Sequence, residues 1–454
     1  MKLSSVKQKM ASEIKVEVIR KETIKPSSPT PHHLRTSSLS VFDQLQPEAY
    51  IPLLIFYPNN ISDDVVNNID HNSLFAERSK LLKTSLSEAL TQFYPFAGEF
   101  EYNVSISCND HGAGFIESQV NCPIRKVLDK PDFGILEQFI PIAMKSKSVE
   151  AGHLLLVQVN LFECGGLTIG VNISHKVADA STLSTFIKSW ATIALGSAST
   201  ASDQVLLPAE FGVAATLFPP QDVLNSPQPI MDLTRDNCIT KRFVFDASKI
   251  AALKSKAASA AVPNPTRVEV VSALIWKCAL QASRSNLGFT KPSTWNQAVN
   301  MRTRSGLAMA ENILGNFLSF FTAMTTESEV ELESLVHKLR KGIDEFKEKY
   351  GNGFSGEDAF QGIEGLKNLI MNDSTETYHC TSWCRFSFYE TDFGWGKPSW
   401  VTFSSSEFKN TTLLMDMSDG VGIEALLSLE EEHMAIIERN EDLLAYASLN
   451  PSVV

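Results

Sequence analysis

Val157-Gln158-Val159-Asn160-Leu161, a turn through Gly165-Gly166, and then Leu167-Thr168-Ile169-Gly170-Val171-Asn172-Ile173-Ser174-His175-Lys176-Val177-Ala178-Asp179 decide how this chain folds. Apolar residues alternate with Gln158 and Asn160 on the first arm. On the second they alternate with Thr168, Gly170, Asn172 and Ser174. Period two across a Gly-containing turn predicts a β-hairpin. Just beyond, Leu183, Phe186, Ile187 and Trp190 recur at helical spacing, so the period changes to 3.6. His175 is therefore predicted where a strand ends, and Asp179 where a helix begins. A side chain at a strand end is held by the sheet yet projects past it, which suits a catalytic group.

Outward from this hairpin, Ile14 to Ile24 mixes Val and Ile with charges and predicts an opening strand. Pro26-Ser27-Ser28-Pro29-Thr30-Pro31 then imposes an extended segment. Leu53 to Tyr57, stopped by Pro58, predicts a buried strand, and Leu82, Leu86, Leu90 and Phe93 predict a helix ended by Pro95. Patterning is lost from Gly196 to Asn237, where Pro208, Pro219, Pro220, Pro227 and Pro229 crowd together; an interdomain crossover is expected there, over residues 201–230. A strand follows at Lys241 to Asp246, then helices at Val268 to Ala282 and through Leu332, Leu335, Leu339, Ile343 and Phe346. Gly351 to Thr377 is poorly patterned and reads as a loop region. Leu413 to Met415 and Ile423 to Leu429 flank Ser418-Asp419-Gly420 as a second hairpin. Strands and helices mix without strict alternation, so the expected class is α/β in the sense of mixed α+β layers.

The chain has 454 residues, beyond the usual size of one hydrophobic core, so two domains are expected. Hydrophobic residues make up 43% and charged ones 20%, a balance typical of globular proteins. A formal charge of −12 argues against a nucleic-acid or anionic-membrane binder. No apolar run long enough for a signal peptide or a transmembrane helix is visible. The seven Cys are scattered and odd in number, which fits a reducing compartment and a cytoplasmic location. Cys380, Cys384 and His379 are read as structural rather than as metal ligands, and no metal is expected.

A His-x-x-x-Asp pair is cheap in a chain with nine His. Asp392-Phe393-Gly394-Trp395-Gly396 is not: its chance appearance is on the order of one in ten thousand or below. Together they point to acyl transfer from a thioester with His175 as base. An alcohol needs its proton removed as it attacks, and an ordinary imidazole is neutral and ready near pH 7. The tetrahedral oxyanion then needs a hydrogen-bond donor. No Gly-x-Ser-x-Gly elbow supports a serine hydrolase. Asp179, directly before a helix, is expected to cap it and not to touch the imidazole. The pentapeptide is expected to be architectural, with Phe393 and Trp395 as core anchors. Lys241, Arg242, Lys249, Lys254, Lys256, Arg267, Lys277 and Arg284 face only Asp246 and Glu269 in sequence, a basic bias suited to the phosphates of coenzyme A.

The chain resembles the BAHD acyltransferases, plant enzymes that use coenzyme A thioesters. The resemblance spans nearly its whole length. It rests on Ile24 to Pro31, Leu86 to Gly98, Phe162 to Gly166, the His175 motif, Lys241 to Asp246, Gln297 to Arg304, Thr381-Ser382-Trp383-Cys384-Arg385 and Asp392 to Pro398. The most similar branch contains vinorine synthase and salutaridinol acetyltransferase, which acetylate alkaloid hydroxyls; fruit-ester alcohol acyltransferases are runners-up.

The resemblance implies two chloramphenicol-acetyltransferase-like domains with a channel between them. These are residues 1–200, completed by a segment near 388–412, and residues 231–454. It implies a monomer that takes acetyl-coenzyme A or another acyl-coenzyme A as cosubstrate and a small-molecule alcohol as partner, with no nucleic acid and no membrane. The candidate catalytic set is His175, Thr381, Trp383 as oxyanion donor, and Asp392, the last of these expected to stand away from the chemistry. Asp179 pairing with Arg302, together with Gly394, Trp395 and Gly396, forms the structural set; Lys254 and Thr266 are matched to coenzyme A contacts. Ala180 stands where many members carry Gly, and Glu99 where many carry Arg. The expected activity is O-acetylation of a specialised-metabolite alcohol such as an alkaloid or terpenoid. Volatile-ester synthesis, a non-catalytic homologue and ester hydrolysis are the alternatives.

Overall fold

The computed structural model describes residues 14–59, 71–141, 152–198, 211–220, 238–306, 312–326, 331–351, 353–370, 374–404 and 408–454. In the first half the main elements are β1 (Val16–Ile24), β2 (Thr36–Ser38), β3 (Tyr50–Tyr57), α1 (His71–Gln92), β4 (Glu99–Glu101), β5 (Ser105–Ser107), β6 (Ala113–Val120), β7 (Leu155–Phe162), β8 (Leu167–Ser174) and α2 (Ala180–Ala198). The second half contains β9 (Cys238–Phe245), α3 (Ala247–Ala257), α4 (Arg267–Leu287), β10 (Ser293–Asn300), β11 (Leu318–Thr325), α5 (Leu332–Tyr350), α6 (Gly356–Ile370), β12 (Glu376–Ser382), β13 (Trp400–Thr402), β14 (Thr411–Asp416), β15 (Ile423–Glu430) and β16 (Ser448–Leu449).

These strands build two large mixed sheets, ordered β1-β6-β7-β8-β3-β13 and β11-β10-β12-β14-β15-β9-β16, and a small sheet β2-β5-β4. The class is the mixed α/β one that the patterning predicts. β13 pairs antiparallel with β3, Trp400 opposite Phe56. A late segment of the chain thus completes the sheet built by the first half. Of the expected crossover, only residues 211–220 are described, with a helical turn at Val213–Leu217; the rest lies outside the described residues.

The predicted β7–β8 hairpin forms, with Val157 opposite Val171 and Val159 opposite Ile169. Its alternation does not separate core from solvent, because every residue of both strands is buried. One face carries Val157, Val159, Ile169 and Val171 into the core shared with α1 and α2. The other carries polar side chains against residues 138–141. Asn160 donates to the Phe139 carbonyl at 2.9 Å, Gln158 to Gln138 at 2.9 Å and Asn172 to Pro141 at 2.7 Å. Buried amides persist because each finds a carbonyl. Gly170 permits the approach: a Cβ there would stand 2.2 Å from the Phe139 oxygen.

One expectation is overturned. Gly351 to Thr377 is not a loop region: it contains α6 and the start of β12. The helix opens with a capping box, in which Ser355 Oγ accepts from the Asp358 N–H at 3.1 Å and Asp358 accepts from the Ser355 N–H at 3.0 Å. Gly356, Gly362 and Gly365 dilute the apolar pattern and lower helix propensity, but Ala359 is buried against the second-half core. At the end of β9, Asp246 belongs to the next element: it caps α3, accepting from the Lys249 N–H at 2.9 Å.

Candidate active site

β8 ends at Ser174, and α2 begins at Ala180; the five residues between them are pinned on every side. The His175 N–H donates to the Ala49 carbonyl at 2.8 Å, and the His175 carbonyl accepts from Asn316 Nδ2 at 2.7 Å. Asn316 itself is held by Asp43, whose carboxylate accepts from its backbone N–H at 2.7 Å and its side chain at 2.9 Å. Burial and the Asn316 contacts thus fix the His175 backbone between segments 141 residues apart. The imidazole opens into a cavity whose wall also includes Asp179, Thr381 and Trp383. Its Nδ1 has no hydrogen-bond partner among the described residues. Burial holds the ring's pKa below the ordinary histidine value, partly offset by its own backbone and by Asp179. The imidazole is therefore neutral at pH 7, the state a general base requires.

Asp179 does two structural jobs at once. Its Oδ1 accepts from the Thr182 N–H at 2.9 Å, capping α2, and its Oδ2 accepts from Arg302 at 2.7 Å and from the Phe317 N–H at 3.1 Å. Arg302 is also bound to the Ile313 carbonyl at 2.8 Å, the Gly315 carbonyl at 3.0 Å and the Thr182 hydroxyl at 3.0 Å. Burial opposes ionisation, but the guanidinium and the N–H donors win, and the Asp179 carboxyl is held below its usual range. None of its hydrogen bonds goes to the imidazole.

Thr381 and Trp383 reach the cavity from the end of β12. The Trp383 N–H donates to the Leu414 carbonyl at 2.7 Å, and its ring meets Phe403 edge-on at 5.8 Å. The structure thus brings His175, Asp179, Thr381 and Trp383 to one cavity, with Arg302 behind Asp179.

Asp392 is not among them, and its place in the catalytic set is corrected. Its Oδ1 accepts from the Gly394 N–H at 2.8 Å and the Gly396 N–H at 2.9 Å, closing a loop in which both glycines have positive φ, 108° and 99°. Phe393 meets Trp190 edge-on at 5.0 Å, and Trp395 meets Tyr57 at 6.0 Å with Arg78 over its ring at 5.2 Å. The pentapeptide is a plug that locks its loop onto α1, α2 and β3.

The basic run between Lys241 and Arg284 is not a free anion field either. Lys241 pairs with Glu438 at 2.7 Å, Arg242 with Glu424 at 2.7 Å, Arg267 with Asp416 at 3.0 Å and Lys277 with Asp442 at 2.9 Å, while Lys249 donates to the Ala445 carbonyl at 2.8 Å. Spacing along the chain does not reveal partners that come from elsewhere in it. Lys254 is half-buried on α3 with no ion-pair partner among the described residues. Thr266 is the N-cap of α4, its hydroxyl accepting from the Glu269 N–H at 3.2 Å. Neither lines the His175 cavity. Glu99 lies on the small sheet and accepts from Asn109. Asn316 and Asp43 escaped sequence reasoning because only the tertiary fold brings them to His175.

The chain matches the family model described as Transferase family over residues 14–444. It is 38% identical to akuammiline synthase 1 of Alstonia scholaris, covering 95% of this chain and 97% of that protein. It is 35% identical to the limonoid 7-O-acetyltransferase of Citrus sinensis, covering 96% and 98%. The crystal structure of vinorine synthase superimposes with a TM-score of 0.83 at 33% identity, covering 97% of this chain and all of that one. Matched along nearly its full length in sequence and in fold, the chain belongs to this Transferase family, the BAHD acyltransferases, and is an acyl-coenzyme A-dependent acyltransferase.

Proposed function

We propose that this enzyme transfers an acyl group, in the first instance acetyl, from coenzyme A to a hydroxyl of an alkaloid or terpenoid alcohol, by direct attack in a ternary complex. The observation that carries the reading is the neutral His175 ring facing a cavity it shares with Thr381 and Trp383. The acceptor oxygen attacks the thioester carbonyl carbon while its proton passes to His175. The resulting oxyanion is met by the Trp383 indole N–H and the Thr381 hydroxyl. Collapse breaks the C–S bond, and the imidazolium returns its proton to the thiolate. Lys254 and Thr266 contact the coenzyme A remote from the chemistry. The choice of acceptor class follows the relatives, named as an akuammiline synthase and a limonoid 7-O-acetyltransferase.

The reading treats residues 1–200 and 231–454 as two domains, with the β13 segment lent back to the first. It places the enzyme in the cytosol as a monomer. All seven cysteines are free, and no helix among the described residues is long and apolar enough to cross a membrane. The test is thiol release and acylated product from acetyl-coenzyme A with a panel of such alcohols. His175→Ala should lower turnover by about a hundred- to ten-thousand-fold with the circular dichroism spectrum retained. A folded His175→Ala protein at wild-type turnover defeats the proposal, and thiol release without acylated product makes the enzyme a hydrolase instead.

A further inference from the structure

His379 is a second imidazole in the cavity that holds His175. It lies on β12 two residues before Thr381, so the two side chains leave the same face of the strand. Its backbone N–H is spent on the Asn410 carbonyl at 2.9 Å, and only 8% of the residue is exposed. Neither ring nitrogen has a hydrogen-bond partner among the described residues, and Nδ1 is closed off from solvent. Burial pushes its pKa down to about 4. Near neutral pH the ring carries one N–H and one bare nitrogen, and with Nδ1 closed off it is Nε2 that can meet a ligand.

Other polar side chains of the same wall are answered within the protein. The Tyr50 hydroxyl donates to the His153 carbonyl at 2.6 Å, the Thr240 and Ser428 hydroxyls pair at 2.6 Å, and Asn300 Oδ1 accepts from the Arg302 N–H at 3.1 Å. Much of the remaining wall is aromatic, with Phe320, Phe386, Phe403 and Phe408. A buried polar group left unpaired costs stability, and one kept in a ligand cavity is satisfied when the ligand arrives. His175 meets that condition through the reacting hydroxyl. His379 has no equivalent in the chemistry. The acetyl carbonyl oxygen becomes the oxyanion and is already spoken for, which leaves the acceptor or an amide of the coenzyme A arm to answer His379. The KM for acetyl-coenzyme A separates the two, and the apolar wall around His379 favours the acceptor.

We propose that His379 is a specificity-determining residue whose imidazole hydrogen-bonds a second oxygen or nitrogen of the acceptor. The preferred alcohol is then a rigid, largely apolar molecule carrying one polar group besides the hydroxyl that is acylated. This rests on the acyltransferase reading above.

The test compares 5α-androstan-3β-ol with epiandrosterone, tetracyclic alcohols that differ only by a ring ketone. It measures thiol release from acetyl-coenzyme A and, separately, calorimetric binding in the presence of coenzyme A. Wild type should favour the ketone-bearing alcohol by about tenfold or more in kcat/KM and in Kd. His379→Phe should bring both ratios close to one. His379→Gln, which keeps a donor and an acceptor, should restore part of the preference, a result that lost packing alone does not give. The proposal is overturned if wild type shows no preference, binding of neither steroid included. It is also overturned if His379→Phe keeps the wild-type ratio, or if the variant raises the KM for acetyl-coenzyme A in place of changing the ratio. A binding preference that depends on His379, found without thiol release, would sink the acyltransferase reading and leave the subsite standing.

Discussion

At the scale of single residues, the proposed chemistry depends on keeping His175 unprotonated. Burial lowers its pKa from the ordinary 6.5, so acid must go further before the base is lost. The acid limb of a kcat/KM profile should therefore have its midpoint below 6.5, with the rate flat above it. A midpoint at or above 6.5 would mean that the ring is solvated or paired with an anion in solution. Asp179 is not that anion, because its oxygens are occupied by Arg302 and by the N–H groups of Thr182 and Phe317. That Asp179 caps a helix was legible in the sequence, since an Asp before a 3.6-period stretch has few other uses. The tie from Asn316 to the His175 carbonyl was not, because a hydrogen bond between residues 141 apart leaves no local pattern.

At the scale of elements, the β7–β8 hairpin and α2 followed from periodicity alone, because a strand or helix that buries one face repeats its apolar residues at its own pitch. α6 escaped the same reasoning. Its glycines blur that pitch, and the Ser355–Asp358 capping box that starts it is a two-residue signal in a stretch lacking other support. The Asp392 loop lies between these cases: its composition marks a turn, but its role required seeing two N–H groups converge on one carboxylate oxygen. Asp392→Ala removes both contacts and should lower stability by about 2 kcal/mol, read as an earlier midpoint in urea unfolding. The pH profile of the protein that remains folded should keep the wild-type shape. A wild-type unfolding midpoint with lost turnover would return Asp392 to the catalytic set.

At the scale of the molecule, the two large sheets are clamped through one buried cluster. Arg242 on β9 grips Glu424 on β15 with bonds of 2.9 and 2.7 Å and donates to the Pro451 carbonyl at 2.7 Å. Trp400 on β13, in the other sheet, donates its indole N–H to the same carboxylate at 3.0 Å and stacks under the Arg242 guanidinium at 5.2 Å. Glu424→Gln leaves Arg242 buried beside a neutral amide and should cost about 3–5 kcal/mol, measured by denaturant unfolding; a loss within error of zero would show that the cluster is hydrated and does not join the sheets. The sequence by itself determined the class of the fold, its main elements, the strand-end position of His175 and the resemblance that gave the family, because periodicity and short motifs are properties of neighbours along the chain. Only the tertiary structure decided that Lys241, Arg242, Arg267 and Lys277 of the basic run are paired with carboxylates, which N–H groups Asp392 holds, that Asn316 ties down the His175 backbone and that His379 shares the cavity. Each of those rests on groups far apart in sequence, and their meeting depends on how whole sheets pack.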